Sequence, residues 1–173
     1  SVLGGGVAGL CAARVAAGMG ADVTVFDVDV ARMRYIDEVW GGRIGTRFSS
    51  PLAVREACGE SDVVIGSVLV PGARTPHLVD HEMVLGMVPG SVLVDVAVDQ
   101  GGCFEDSHPT THADPTFVVG GSVFYCVANM PGAVPHTSTY ALTNATMRYV
   151  LLLADEGWRG ACGSRDDLRR GLA

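Results

Sequence analysis

A glycine cluster near the start of the chain constrains the fold more than any other feature. Val2 and Leu3 form a short apolar run that leads into Gly4-x-Gly6-x-x-Gly9. In this spacing the first glycine permits a tight turn, the second lets the backbone approach a pyrophosphate, and the third lets a helix pack against its strand. Glycine-rich turns are common, so the spacing by itself is a weak signal.

The residues that follow the turn supply the expected context. Apolar residues recur at helical spacing after the turn, and Gly18 and Gly20 predict the end of this helix. Residues 22–27 have the composition of a second strand, which ends at Asp27. This carboxylate lies 18 residues beyond Gly9, close to the offset of the acid that binds a ribose 2′-hydroxyl. The ordered combination predicts a dinucleotide-binding βαβ unit.

Strands and helices continue to alternate along the chain. The pattern predicts further strands over residues 43–48, 62–66, 91–96 and 122–127, with helices that begin near Asp29, Ser50, Asp80 and Ser138. Six strands in this alternation predict an α/β fold, a Rossmann-like doubly wound parallel sheet with helices on both faces and strand order 3-2-1-4-5-6. The loops after residues 3, 27, 66, 96 and 127 are then expected along one edge.

Two loops have an unusual composition. Residues 67–76 are too apolar for a plain surface linker, and they follow a central strand, where doubly wound sheets bind ligands. Residues 97–115 have no periodicity and are polar around Asp99, and their position after a core strand favours a functional loop. The helix near residue 80 is expected to end at Pro89-Gly90, and the last long helix at Gly157.

The overall composition argues against several classes of protein. A chain of 173 residues is long enough for one domain with a substantial core. Its net charge of −7 argues against a nucleic-acid partner. The sequence shows no signal peptide and no apolar run of about 18 residues, so no membrane segment is expected. All twelve basic residues are arginine, and a Schiff-base lysine is therefore excluded within this chain.

The cysteines and histidines predict neither a disulfide framework nor a metal site. The five cysteines are scattered and include no Cys-x-x-Cys pair, which favours reduced thiols in a cytosolic protein. His108 and His112 are four residues apart, but Pro109 between them argues against a metal pair on a helix. We therefore expect no metal ion.

The second half of the chain contains four uncommon motifs in a fixed order. They are DVAVDQGGC at 95–103, SHPTTH at 107–112, YCVANMPGAVP at 125–135 and TSTYALTNAT at 137–146. In this order after the glycine turn, they resemble the alanine dehydrogenase/pyridine nucleotide transhydrogenase family, and alanine dehydrogenase within it, up to about Gly171. The resemblance implies a cytoplasmic, homohexameric oxidoreductase of L-alanine catabolism that uses NAD to interconvert L-alanine with pyruvate and ammonium.

The resemblance also implies roles for individual residues. Asp99 matches the family's active-site aspartate, where a carboxylate can accept a proton or stabilise an ammonium. The implied cofactor contacts are Gly4, Gly6 and Gly9 at the pyrophosphate, Asp27 at the adenosine ribose, Arg32 and Ser49 near the adenosine, Val68 and Leu69 in the cleft, and Asn129 and Met130 at the nicotinamide end, with Val7, Ala8 and Val98 as further contacts. Arg32 stands where family members often carry lysine, which leaves its contact open.

The resemblance covers a cofactor domain and the helix that leaves it. It implies an NAD-binding domain over residues 1–136 and a C-terminal helical segment over 137–173 that leads towards the catalytic domain. The family's substrate-binding arginine and lysine and its acid–base histidine lie in an N-terminal domain that this chain lacks. We therefore expect a fragment that is inactive by itself, with L-alanine and pyruvate bound through the missing domain.

Alternatives stay open at this point. A proton-translocating transhydrogenase subunit shares the architecture, although its pattern tends to carry glutamate where Asp99 precedes Gln-Gly. A non-catalytic nucleotide-sensing module also fits the missing N-terminal groups. For Asp27, the alternative to a cofactor contact is that the residue only ends its strand. For Asn129, the alternative is that the side chain only organises its own turn through local hydrogen bonds.

Overall fold

The computed structural model describes residues 1–70 and 75–172, and its first part is organised around a seven-stranded sheet. The strands are β1 (Val2–Leu3), β2 (Thr24–Asp27), β3 (Gly45–Phe48), β4 (Val63–Gly66), β5 (Val92–Asp95), β6 (Thr116–Val119) and β7 (Ser122–Tyr125). The helices are α1 (Val7–Gly18), α2 (Val30–Trp40), α3 (Pro51–Glu60), α4 (His81–Leu85), α5 (Pro135–Ser164) and α6 (Asp166–Arg170). Short 3₁₀ turns lie at Val98–Gln100 and Met130–Ala133.

The strand order is β3-β2-β1-β4-β5-β7-β6, and every pair except β6–β7 is parallel. The predicted α/β class and the order of the six predicted strands are therefore confirmed, with the predicted sixth strand observed as β7. The prediction was wrong in the number of strands, because it omitted β6. This edge strand joins β7 antiparallel through Gly120 and Gly121, whose φ angles of 58° and 90° suit a two-residue hairpin turn.

The core consists of two apolar clusters, one on each face of the sheet. Neighbouring residues of β1 show the division, because Val2 belongs to the cluster with Ile36 of α2, whereas Leu3 belongs to the cluster with Val54 of α3. Successive side chains of a strand point to opposite faces, so each face requires its own covering helices. The predicted helices on both faces are thus confirmed.

Three helices begin where their capping residues predict. Asp29 accepts a hydrogen bond from the Ala31 N–H at 2.8 Å, Ser50 accepts one from the Ala53 N–H at 3.2 Å, and Asp80 accepts one from the Met83 N–H at 2.8 Å. Such side chains satisfy N–H groups that have no partner within the helix. The expected end of α4 at Pro89-Gly90 was wrong, since the helix ends at Leu85.

Helix α1 packs on the sheet through small residues. Gly9 and Ala13 are its buried positions and Leu10 is half-buried, whereas Val7 and Val15 are exposed. Glycine and alanine at the fully buried positions let the helix approach the sheet closely. This close approach brings the first turn of α1 next to the end of β1.

The chain divides into two compact units, Ser1–Met130 and a helical unit that starts at Pro131. In the second unit α5 begins at Pro135, a few residues before the predicted start, and continues beyond the predicted end. Gly157 leaves helical geometry at φ 66° and ψ 167°, so it is a kink where the prediction placed a C-cap. In the part of the chain that the structure describes, no helix combines the length and apolarity needed to cross a membrane.

Candidate functional site

A cleft of about 790 Å³ lies beyond the carboxyl ends of β1, β2 and β4. This is the edge at which doubly wound sheets bind ligands. Eight of the thirteen predicted cofactor contacts line it, namely Gly4, Gly6, Val7, Ala8, Asp27, Ser49, Val68 and Leu69. The topology thus brings together residues that are up to 65 positions apart in the sequence. Residues 71–74 of the predicted apolar loop lie outside the described residues.

Each glycine of the GxGxxG pattern has a distinct environment. Gly4 has a φ of 101°, which favours glycine, and its N–H donates to the Phe26 carbonyl at 2.8 Å. A Cβ on Gly9 would collide with the Gly4 carbonyl oxygen and with Oγ of Ser67, so α1 can approach the turn only if this residue has no side chain. A Cβ on Gly6 would meet nothing within 4 Å. Gly6 therefore presents its backbone to open space in the cleft.

Ser67 ties the end of β4 to the glycine turn, a role that the sequence analysis missed. Its Oγ lies 3.0 Å from the carbonyl oxygens of both Leu3 and Gly4, to which the hydroxyl donates. Its N–H also donates to the Leu3 carbonyl at 2.8 Å. The position directly after a central strand was the available sequence signal for this contact.

Asp27 lines the cleft and also organises the surrounding backbone. Its Oδ2 accepts a hydrogen bond from the Gly5 N–H at 2.7 Å, and its Oδ1 accepts one from the Asp29 N–H at 2.9 Å. Its carbonyl oxygen accepts one from the Ser49 N–H at 2.9 Å. The carboxylate is therefore held in a fixed orientation at the end of β2, where a ribose hydroxyl of a dinucleotide would approach.

Arg32 lies outside the residues that line the cleft. Its Nε donates to the carbonyl oxygen of Gly5 at 2.5 Å, and its guanidinium carbon lies 5.4 Å from the centre of the Tyr35 ring. The arginine thus contacts the glycine turn from the side of α2. Gly5, one of the three positions that the GxGxxG pattern leaves unspecified, is a further site residue that the pattern does not reveal.

The loop that carries Asp99 is anchored by a buried carboxylate. Asp95 is fully buried, and its oxygens accept hydrogen bonds from Ala97 N–H at 3.0 Å, Cys103 N–H at 2.8 Å, Phe104 N–H at 3.3 Å and Ser107 Oγ at 2.6 Å. These bonds bracket the 3₁₀ turn that contains Asp99. Asp99 itself is exposed just beyond the carboxyl end of β5. Asp95 was visible in the sequence only as part of a motif, with no role assigned.

The remaining predicted contacts lie outside the cleft lining. Val98 is buried, and Gly9 lies behind the turn, where it contacts Ser67. Asn129 has a left-handed φ of 59°, and its carbonyl oxygen lies 3.0 Å from Nε2 of His112. Met130 is half-buried at the end of the first unit. The structure therefore places most of the predicted adenosine and pyrophosphate contacts together, Arg32 and Gly9 excepted, with Asn129 and Met130 on a separate loop after β7.

The cysteines are free thiols, and most are buried. Burial raises the pKa of the Cys103 thiol to about 12 and that of Cys58 to about 11. Burial likewise raises the pKa of Cys126. Thiolates are the reactive form of cysteine, so these groups are chemically inert near neutral pH. Within residues 1–70 and 75–172, no group of three or more His, Cys, Asp or Glu side chains is arranged to hold a metal ion.

A central glycine turn, an acid at the end of β2 and a cleft at the carboxyl ends of parallel strands define a Rossmann-type dinucleotide-binding domain. Comparison with known sequences gives the particular family. Residues 1–173 match the model of the alanine dehydrogenase/PNT C-terminal domain, and the chain belongs to that family. This domain is the NAD-binding domain of alanine dehydrogenase, which confirms NAD as the predicted cofactor.

Individual relatives agree with this membership. The alanine dehydrogenase of Mycolicibacterium smegmatis is 62% identical over 172 residues, which cover 99% of this chain and 46% of that protein. A solved L-alanine dehydrogenase structure superposes with a TM-score of 0.89 at 50% identity, covering 99% of this chain and 47% of the other. A transhydrogenase from Sinorhizobium meliloti is more distant, with a TM-score of 0.70 at 31% identity over 80% of this chain and 40% of the other. The chain thus spans about half the length of the relatives it matches.

Proposed function

We propose that the chain is the NAD-binding part of an L-alanine dehydrogenase, which catalyses the reversible oxidative deamination of L-alanine to pyruvate and ammonium. One observation carries this proposal. The open backbone of Gly6 and the fixed carboxylate of Asp27 face the same cleft at the start of α1. A pyrophosphate fits against such a turn, because the N-terminal N–H groups of a helix favour anions.

The proposed assignments follow the cleft from the turn outward. Gly4, Gly6 and Gly9 shape the pyrophosphate site, with Val7 and Ala8 in the first turn of α1. Asp27 binds the adenosine ribose, and Ser49 lies beside the adenine. Val68 and Leu69 form an apolar wall, as expected in a cofactor site whose orientation is fixed by a few polar groups. NAD supplies the hydride-accepting nicotinamide, and the protein supplies its position and surroundings.

Asp99 is the proposed catalytic residue of this chain. Its exposed carboxylate follows β5 at the ligand-binding edge of the sheet, on a turn that buried Asp95 holds in place. A carboxylate there is suited to accept a proton or to stabilise the ammonium group of the substrate. Val98, Asn129 and Met130 are assigned to the nicotinamide end. Substrate binding by arginine, lysine and histidine is assigned to an N-terminal domain outside this chain.

The proposal extends to domain boundaries, assembly and compartment. Residues 1–136 form the NAD-binding domain, and residues 137–173 form the helical segment that leads towards the catalytic domain. The complete enzyme is a cytoplasmic homohexamer. The free cysteines support a reducing compartment, because disulfides are rare in the cytosol.

A fluorescence titration of the 173-residue chain with NADH and with NADPH tests the cofactor site. We expect saturable binding of NADH and poor binding of NADPH, because Asp27 would face the 2′-phosphate. Asp27→Ala should weaken NADH binding by about tenfold, the value of one charge-assisted hydrogen bond. Gly6→Ala should retain the stability of the wild type, because its Cβ meets no protein atom. It should lose NADH affinity, because the new methyl group would keep the pyrophosphate away from the backbone of the turn. Unchanged affinity in both variants would contradict the assignment of this cleft.

Turnover in the full-length protein that contains this segment tests the reaction. An alanine dehydrogenase reduces NAD⁺ only when L-alanine is added, and Asp99→Asn should abolish this activity while NADH still binds. A nucleotide-sensing module would bind NADH without turnover. A transhydrogenase would exchange hydride between NADH and NADP⁺ without L-alanine.

A further inference from the structure

The backbone of Gly5 is held on both its N–H and its carbonyl by side chains of neighbouring elements. The Gly5 N–H donates to Oδ2 of Asp27 at 2.7 Å, and the Gly5 carbonyl accepts from Nε of Arg32 at 2.5 Å. Both bonds involve a charged side chain, and charge-assisted hydrogen bonds are about twice as strong as neutral ones. Asp27 at the end of β2 and Arg32 in the first turn of α2, which carry opposite charges, thus hold a single glycine.

Arg32 is itself fixed in three places. Its N–H donates to Oδ1 of Asp29 at 3.3 Å in the first turn of α2, and its Nε donates to Gly5. Its guanidinium lies over the ring of Tyr35, one turn further along the helix, in a cation–π contact. A side chain restrained in this way loses little further freedom when a ligand binds.

Because the peptide bond is planar, the hydrogen bond to the Gly5 carbonyl also restrains the orientation of the Gly6 N–H. The Gly5 carbonyl and the Gly6 N–H belong to one trans peptide unit, in which they point in opposite directions. A hydrogen bond that fixes the carbonyl oxygen therefore also fixes the direction of the Gly6 N–H. Gly6 is the residue with open space around it in the cleft.

The packing around Gly5 leaves no room for a side chain. A Cβ there would lie 3.0 Å from Oδ2 of Asp27, 3.1 Å from Cδ1 of Ile36 and 3.4 Å from Cγ of Arg32. The glycine is thus enclosed by β2 and α2 on one side, while its successor Gly6 faces the cleft. Displacement of the Gly5 carbonyl requires rotation of the whole peptide unit.

We propose that Arg32 is a positioning residue for the pyrophosphate site, which acts by holding the Gly5 carbonyl and so aiming the Gly6 N–H. This role is exerted through the glycine turn. This inference rests on the proposed function, because it assigns a device to the same dinucleotide site.

Two substitutions at Arg32 provide a matched test. Glutamine carries an N–H donor at the same distance from the backbone as the arginine Nε, and methionine carries a methyl group there. Neither side chain is charged. We expect Arg32→Met to weaken ADP binding by about fivefold to tenfold and Arg32→Gln by about twofold, because only glutamine preserves the donor. Arg34→Met, on the exposed side of the same helix, should bind ADP as the wild type does.

The choice of ligand separates positioning from direct contact. Adenosine lacks the pyrophosphate, so Arg32→Met should weaken its binding much less than it weakens ADP binding. Equal losses of ADP affinity in the Met and Gln variants would mean that Arg32 acts through its charge, and the proposal would be overturned. A loss of adenosine affinity as large as that of ADP would overturn it in favour of direct contact.

A measurement without ligand keeps this inference distinct from the proposed function. The ¹⁵N chemical shift of an amide responds to hydrogen bonding at the preceding carbonyl. We expect the Gly6 signal to move in Arg32→Met and to stay near its wild-type position in Arg32→Gln. Unmoved Gly6 signals in both variants would overturn the positioning role. A different result would separate the two proposals. If the wild type fails to bind NADH or ADP while the Gly6 signal is displaced in Arg32→Met, the proposed function is wrong and the hold of Arg32 on the Gly5 carbonyl is still established.

Discussion

The hydroxyl of Ser107 donates a 2.6 Å hydrogen bond to the buried carboxylate of Asp95, across the loop that contains Asp99. Three backbone N–H groups, from Ala97, Cys103 and Phe104, converge on the same carboxylate. A loop without regular periodicity thus has its own organising residue. The exposed Asp99 is held on this framework, while the framework itself is shielded from water.

Replacement of Asp95 should be far more destabilising than replacement of Ser107. Asp95→Ala leaves buried N–H donors without an acceptor, which we expect to lower the free energy of unfolding by about 3 to 5 kcal/mol. Ser107→Ala removes one donor and should cost about 1.5 kcal/mol. Urea unfolding measures both, and the exposed Asp37→Ala is the control, with an expected change within about 0.5 kcal/mol. Equal effects of Asp95→Ala and Asp37→Ala would contradict the anchoring role.

Two alanine substitutions in α1 should have opposite effects. Gly9→Ala places a Cβ against the Gly4 carbonyl and Ser67, so it should destabilise the fold and abolish NADH binding. Gly18 lies at the end of the same helix, and a Cβ there would meet no atom within 4 Å. Gly18→Ala should therefore stabilise the protein by about 0.5 kcal/mol, because alanine restricts the unfolded chain. Thermal unfolding and NADH titration measure both effects. A gain of stability in both variants would show that helix propensity, and not close packing, governs this helix.

The His81–Asp106 pair should make stability depend on pH. Nδ1 of His81 lies 3.0 Å from Oδ2 of Asp106, and this hydrogen bond raises the pKa of the histidine above its ordinary value of 6.5. A raised pKa in the folded state means that the pair stabilises the fold at low pH, and this contribution is lost as the pH rises through the raised pKa. Asp106→Asn should therefore lower the His81 pKa in an NMR titration and reduce stability mainly below pH 6.5. Asp114→Asn, at another exposed site, should leave the titration of His81 unchanged, and an unchanged titration in Asp106→Asn as well would contradict the pairing.

Thiol labelling should distinguish one cysteine from the other four. Cys11 is exposed on α1, whereas Cys58, Cys103, Cys126 and Cys162 are buried. Burial and a pKa of about 12 make Cys103 unreactive at pH 8. We expect one thiol per folded chain to react rapidly with a disulfide reagent, and Cys11→Ser to remove this phase. All five should react after denaturation, and rapid labelling of several thiols in the folded chain would contradict the described core.

The sequence was sufficient to predict the parts of the fold that depend on local patterns. The glycine turn, the caps at Asp29 and Ser50 and the strand order follow from residue spacing and from the rules for parallel sheets. The edge strand β6 was missed because it follows a proline-containing loop without periodicity and pairs with a neighbour on one side only. Gly120-Gly121 between two short strands was the unused signal.

The site was predictable where sequence position determines geometry and not where packing does. Asp27 follows β2, so topology alone brings it to the cleft. Arg32 was assigned near the adenosine by resemblance, yet its contact with Gly5 depends on how α2 packs beside the turn. Val7 and Val15 of α1 are exposed because Gly9 and Ala13 are the buried positions of this helix, and an apolar count gives no indication of this.

The two-residue strand β1 joins the two halves of the sheet. Val2 pairs with Val25 of β2 and with Ile65 of β4, and the pairing with β4 closes a loop of about sixty residues. Contacts between distant segments form slowly, because the chain loses the entropy of the intervening loop before the contact is made. The β2–β3 and β4–β5 neighbours can pair across shorter distances. We therefore expect the β1–β4 seam, which forms the floor of the cofactor cleft, to be among the last parts of the sheet completed as the chain folds.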